Sequence, residues 1–202
     1  LDGTFFPYTT LFRSSAESGA RSAVYGVFAG IAFFSISLHW LTRVTPLGWV
    51  LVVLIQAAYF AAFAWLVFFG KRTEWNFGCK VLWAAASWTM LEFTRAEIPI
   101  FGFGWNLLAY SQASDPLVIQ AAGLIGAYGL GFLMVCVNVC TAKIFMPQKK
   151  RKRGVAAALF SVILAVLGFI YAYGQYSLEE KRNPEEYLRV SVLQGNIPQS
   201  LK

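Results

Sequence analysis

The chain has 202 residues, of which 57% are hydrophobic, 17% aromatic and 13% charged. A soluble globular chain carries about 25% charged residues, so this composition excludes disorder, and only three cysteines exclude a disulfide scaffold. The net charge of +7 would suit nucleic acid, but the basic residues cluster between long apolar runs, which assigns them to a membrane and not to nucleic acid.

In chain order, residues 1–14 come first. The stretch Phe6-Pro7-Tyr8-Thr9-Thr10-Leu11-Phe12-Arg13-Ser14 reads as translated adapter sequence, so 1–14 is expected to be a non-native leader. Uncharged runs then mark the spans. Twenty-one residues separate Arg21 from Arg43, and twenty-seven separate Arg43 from Lys71, predicting spans near 22–41 and 47–69. Eleven uncharged residues between Lys80 and Glu92 predict a shorter span near 78–94, with Lys80 snorkelling at one end and Glu92 at the other interface. Twenty-seven residues between Asp115 and Lys143, and twenty-five between Arg153 and Glu179, predict spans near 116–142 and 154–176. About 18 apolar residues suffice to cross a ~30 Å hydrocarbon core. The expectation is an all-α, five-span bundle over 15–176, followed by a charged linker over 177–186. Residues 187–202 then read as the first strand and turn of an α/β domain, because Leu188-Arg189-Val190-Ser191-Val192-Leu193 is strand-like and Gly195, Asn196 and Pro198 end it. One strand cannot fold alone, so the rest of that domain is expected beyond Lys202.

Lys and Arg in the short loops set orientation. With five spans, one side holds eleven basic and three acidic residues, including the run Lys149-Lys150-Arg151-Lys152-Arg153, and the other holds six basic and seven acidic. The first side is predicted to be cytoplasmic and the C-terminal segment to lie outside.

The segment after the third predicted span holds the candidate site. Glu92 and Arg95 stand three apart on one helical face at the outer end of a span, where an ionisable pair is expensive unless neutralised or used. The plain reading is a salt bridge that fixes a loop. The stretch Ile98-Pro99-Ile100-Phe101-Gly102-Phe103-Gly104-Trp105-Asn106-Leu107-Leu108-Ala109-Tyr110-Ser111-Gln112 is apolar, yet Pro99, Gly102 and Gly104 make it a poor helix. Such a segment must be buried against protein or dip into the interface. It is either an aromatic anchor or a lip bordering a site. Glu92, Arg95, Phe101, Phe103, Trp105, Tyr110 and Gln112 are therefore the lipid-binding candidates. Arg95 could meet a phosphate with its planar fork, and the aromatic side chains could cover an acyl chain.

Other features read as packing. Gly26-xxx-Gly30 and Gly123-xxx-Ala127-xxx-Gly131 are small-residue faces. His39 is the one histidine and reads as a polar packing residue. Cys136 and Cys140, without histidine or acidic partners, make a poor metal site. No metal and no cofactor is expected.

The strings Leu91-Glu92-Phe93-Thr94-Arg95, Phe101-Gly102-Phe103-Gly104-Trp105, Tyr110-Ser111-Gln112 and Gly126-Ala127-Tyr128-Gly129 together resemble the membrane half of apolipoprotein N-acyltransferase. The stretch Val192-Leu193-Gln194-Gly195-Asn196-Ile197-Pro198-Gln199 resembles the first strand and turn of that family's nitrilase-like domain. The chain departs from the family pattern at Gly104, where a proline is usual, and at His39, where an asparagine is common. The resemblance implies a multi-pass bacterial inner-membrane enzyme with a periplasmic nitrilase-like domain. It implies acyl transfer from a phospholipid donor to the α-amino group of the N-terminal cysteine of a diacylated apolipoprotein, through a thioester on a nitrilase-type cysteine, with a glutamate base and a lysine at the oxyanion. Cys79, Cys136 and Cys140 lie at or within spans, so no catalytic residue is expected in this chain, and alone it is expected to be inactive. The other classes weighed are a polytopic transporter, which would want ionisable groups at mid-membrane, and a non-catalytic lipid-binding scaffold.

Overall fold

The computed structural model describes residues 18–98, 102–145, 153–182 and 191. Among the described residues, six α-helices follow one another: α1 (Gly19–Ser37), α2 (Pro46–Arg72), α3 (Phe77–Glu97), α4 (Pro116–Ile119), α5 (Ala122–Phe145) and α6 (Arg153–Arg182). Short 3-10 turns occupy His39–Arg43 and Leu108–Gln112. No strand occurs among the described residues.

The helix starts are written locally. Ser18, Thr45 and Asn76 each accept a backbone N–H three residues on, from Arg21, Gly48 and Cys79. Pro46 and Pro116 occupy first-turn positions where no N–H is needed. Asp115 caps α4 by accepting from Leu117 N at 3.0 Å and Val118 N at 3.2 Å.

The long helices pack as a series, α1 on α2, α2 on α3, α3 on α5 and α5 on α6, with α4 against α6. Lipid tails are as apolar as leucine, so close packing rather than hydrophobicity holds such helices together. The expected close approach occurs at Gly26 and Gly30. A Cβ on Gly26 would fall 2.5 Å from the Phe60 carbonyl oxygen, and one on Gly30 would fall 2.7 Å from Ala57 Cα. Gly123 differs from expectation: it faces open space and packs against nothing. An aromatic chain ties α1, α2 and α3 together: Phe34 to Phe60 at 5.2 Å, Phe60 to Trp88 at 5.4 Å and Phe63 to Trp88 at 5.0 Å, all edge-on. His39 sits edge-on to Trp49, as a packing residue would.

Among the described residues, four helices, α1, α2, α5 and α6, are long and apolar enough to cross a membrane. The predicted third span, α3, is not among them by composition. Its 21 residues reach about 31 Å at 1.5 Å each, and it carries Lys80, Glu92, Arg95 and Glu97. It is seated between α2 and α5 and turns Glu92 and Arg95 inward, both buried.

The predicted span near 116–142 comprises two helices. α4 ends at Ile119, the chain turns, and α5 begins at Ala122. Gly126 then breaks α5 with φ 69° and ψ 172°, a conformation that glycine alone adopts readily. At the far end, α6 runs to Arg182, past the predicted end at 176 and into the predicted linker. The leader 1–14 and Lys149 to Lys152 lie outside the described residues, as does the predicted strand except Ser191, which has no regular structure.

Candidate functional site

The C-terminal turn of α3 and the segment after it form one hydrogen-bonded unit around Arg95. The guanidinium is 3% exposed and stands 5.9 Å from the centroid of the Phe34 ring. Its Nη1 donates to the Trp105 carbonyl at 2.9 Å, to the Gln56 Oε1 at 3.3 Å and to the Phe103 carbonyl at 3.4 Å. Its Nη2 donates to the Asn106 carbonyl at 2.8 Å and to Glu92 Oε1 at 3.5 Å. The Arg95 backbone joins in, its carbonyl accepting from Phe103 N at 2.7 Å.

Glu92 completes the unit. Its Oε1 also accepts from Leu108 N at 2.6 Å. Its Oε2 faces Gly131 of α5, where a Cβ would stand 3.2 Å away; glycine there leaves room for the carboxylate. A buried charge is stable only when paired and hydrogen-bonded, and here the loop supplies the partners. The loop in turn needs Arg95, because carbonyls turned inward at 103, 105 and 106 would otherwise lack donors. Two backbone positions let it fold. A Cβ on Gly102 would stand 2.8 Å from the Ile98 carbonyl oxygen, and Asn106 takes φ 59°, which asparagine tolerates better than most residues. The Asn106 side-chain nitrogen is buried and lacks a hydrogen-bond partner.

Of the predicted site residues, Glu92, Arg95, Phe103 and Trp105 come together. Phe103 is half-buried against the main core. Trp105 is bound only through its carbonyl; its side chain is 58% exposed and its ring lies 5.2 Å from that of Trp40. Tyr110 and Gln112 stand on the 3-10 turn beyond Leu107, apart from the Arg95 cluster. Tyr110 is 54% exposed, and the Gln112 amide donates to Ser111 Oγ. Phe101 lies outside the described residues. Arg95 matches the plain reading of a pair that fixes a loop: its terminal nitrogens aim at the protein's own oxygens, so it holds the loop from within.

Three participants escaped the sequence reading. Gln56 is 1% exposed and reaches Arg95 from α2; its signal was an amide within an otherwise apolar run. Gly131 had read as a helix-packing residue. Tyr128 donates to Glu97 at 2.7 Å and meets the Phe93 ring at 5.5 Å, joining the end of α3 to the start of α5.

A second polar junction lies next to the loop. Tyr171 of α6 donates to Asp115 Oδ2 at 2.8 Å, and Ser177 Oγ lies 3.3 Å from Gln120 Oε1. The Tyr171 hydrogen bond, with those from Val118 and Leu117 N–H, holds the Asp115 carboxyl below the usual carboxylate range. Gly174 lets α6 approach the Leu117 carbonyl directly.

The three cysteines are far from forming a catalytic group with this loop. Cys136 and Cys140 are buried within α5, and Cys79 is exposed at the opposite end of α3. Among the described residues, no group of three or more His, Cys, Asp or Glu side chains could hold a metal ion.

Residues 4–140 match the family model described as apolipoprotein N-acyltransferase N-terminal domain. Among curated relatives, the apolipoprotein N-acyltransferase of Gloeobacter violaceus is 30% identical over 201 residues, covering 93% of this chain and 37% of the relative. The protein of that name from Nitrosomonas europaea is 30% identical over 183 residues, covering 88% and 34%. That from Geobacter metallireducens is 28% identical over 188 residues, covering 88% and 35%. The chain thus spans little more than a third of the length of these relatives. No solved structure matches.

Proposed function

The chain belongs to the apolipoprotein N-acyltransferase N-terminal domain family, and from that premise we propose that it is the membrane part of an acyltransferase of lipoprotein maturation. In this reading the donor is a phospholipid and the acceptor is the N-terminal α-amino group of a diacylated apolipoprotein. The protein sits in a bacterial inner membrane, and the segment after α6 enters a periplasmic nitrilase-like domain. The nucleophilic cysteine, the glutamate base and the oxyanion lysine belong to that domain. A thiolate accepting the acyl chain and passing it to an amine divides the transfer into two easier steps.

The observation that carries the reading is the built loop over 102–112. A buried ion pair, Arg95 with Glu92, is spent on holding an irregular apolar segment at one end of the bundle, with Trp105 and Tyr110 outward. An irregular backbone at membrane depth is tolerated where protein satisfies it, and exposed aromatic rings suit the headgroup level. We assign Trp105, with Trp40 beside it, and Tyr110 to contact with the acyl chains of donor or acceptor. Arg95 and Glu92 are positioning residues, and Phe103 anchors the loop to the core.

The test uses the complete protein carrying this chain. Trp105→Ala is expected to leave abundance unchanged while slowing acyl-thioester formation or transfer at least tenfold, the scale on which lost substrate positioning shows. Full activity, or a loss proportional to lost protein, would return Trp105 to a membrane anchor and remove the lip from the mechanism.

A further inference from the structure

Among the described side chains, the loop end of the bundle carries two guanidinium groups, Arg95 and Arg43. Arg95 is buried and engaged by Glu92, Gln56 and the loop carbonyls. Arg43 is exposed at the end of the 3-10 turn between α1 and α2. Among the described residues its guanidinium has no hydrogen-bond, ion-pair or ring partner. The charge count puts this turn on the side predicted to lie outside, where basic residues are not needed to fix orientation.

The turn that carries Arg43 is held firmly. It follows Leu38, which is fully buried. Leu41 N donates to the Leu38 carbonyl at 2.9 Å, and Val44 N and Thr45 N donate to the Leu41 carbonyl at 3.0 and 2.9 Å. Thr42 Oγ1 donates to the His39 carbonyl at 2.7 Å. Side chains three apart eclipse one another in a 3-10 helix, so Trp40 and Arg43 share one face. The Trp40 ring lies 5.2 Å from that of Trp105, and both indoles are exposed. Trp105, Trp40 and Arg43 therefore form a short row, apolar at the loop and cationic at the turn. Indole rings suit the boundary between acyl chain and headgroup, and a planar guanidinium suits a phosphate.

We infer that Arg43 receives the phosphate of the acyl-donor phospholipid while the Trp40–Trp105 pair covers its acyl chain. The inference rests on the proposed reading of the loop, and supplies the phosphate contact that Arg95, turned inward, does not make. Two parallel N–H groups of an arginine match two phosphate oxygens. In that reading acyl chains are common to donor and acceptor, and the phosphodiester belongs to the donor. Arg43 is then a specificity residue for the first half of the transfer.

The complete protein carrying this chain is assayed for single-turnover thioester formation against the mole fraction of phosphatidylglycerol in neutral detergent micelles. Retained phosphatidylglycerol is read in parallel by native mass spectrometry. R43Q should raise the half-saturating mole fraction about tenfold, the scale of one lost charge-assisted hydrogen bond. The maximal rate should fall less, and lipid retention should drop. R43K should recover part of both. R72Q removes the same charge at the opposite end of α2 and should behave as wild type. Wild-type half-saturation and retention in R43Q would overturn the inference, and slowing by Trp105→Ala in the same assay would then leave the lip reading standing. Equal shifts in R43Q and R72Q would also overturn it, by reducing Arg43 to general surface charge. Weakened retention in R43Q, with no thioester formed by wild type, would keep the phosphate contact and remove the acyl-transfer reading.

Discussion

The two ends of α3 handle positive charge in opposite ways. At the C-terminal end a single guanidinium is buried and meets one carboxylate, one amide and three backbone carbonyls. At the N-terminal end three lysines line an open cavity without an acidic wall among the described residues. The first arrangement is complete in itself, so its cation is a structural bolt. The second is looser: Lys80 Nζ donates to the Lys71 carbonyl at 3.1 Å and Lys143 Nζ stands over the Phe77 ring, beside concave space. A basic residue at a helix end is therefore not a binding group by type: what matters is how many of the chain's own groups already meet it.

The largest effect should come from unbolting the first end. Arg95→Ala strands Glu92 and the carbonyls of 103, 105 and 106, and breaking a buried pair from one side costs about 3–5 kcal/mol. Hydrogen exchange should show residues 102–112 losing protection while α1 and α2 keep theirs. Arg95→Lys should rescue little, because a single ammonium cannot reproduce a planar fork aimed at several acceptors. Unchanged protection in Arg95→Ala would dissolve the contrast between the two ends.

A middling effect separates the two glycines of the loop. Gly102→Ala drives a Cβ to 2.8 Å from the Ile98 carbonyl oxygen, whereas at Gly104 the nearest atom is Ala96 Cβ at 3.8 Å. The first should destabilise by about 1–3 kcal/mol and the second by little, read as thermal shifts in one detergent. Equal shifts would show that the loop tolerates either change and is less tightly built than its hydrogen bonds imply.

The smallest effect is a pH dependence at Asp115. Its carboxyl is held below the ordinary value, first by the Tyr171 hydroxyl and then by the α4 N–H groups. A depressed folded-state pKa contributes stability that is fully present above the unfolded value and is lost as pH falls through the folded one. Tyr171→Phe should raise the Asp115 pKa towards the ordinary carboxylate range, so that α4 loosens from α6 at a higher pH. Carboxyl carbon shifts of Asp115 across an acid titration would follow this. An unmoved midpoint would detach the junction from the loop's polar frame.

The sequence carried the fold unevenly, and the reasons are physical. Long uncharged runs make α1, α2, α5 and α6 legible because hydrocarbon thickness sets a length. The kink inside α5 was not readable: a segment apolar on every side has no periodicity to interrupt, and only the φ of Gly126 reveals it. The pairing of Glu92 with Arg95 followed from helical spacing, and its use in fixing a loop was one of the two readings, but the further partners of the pair did not follow. Gln56 lies 39 positions from Arg95, and no local pattern says which distant amide or carbonyl a buried guanidinium will meet.

The arrangement of thiols has a practical consequence. Cys136 and Cys140 are shielded inside α5, while Cys79 alone is exposed, next to Lys80 at the cavity end of the bundle. Of this chain's three cysteines, one sulfur is therefore addressable, at the end of the bundle opposite the Arg95 loop. A membrane-impermeant maleimide added to sealed vesicles, and then to opened ones, with Cys79→Ser as the control, would report which compartment that pole faces. A spin label on the same atom would place a reporter beside the lysine cavity.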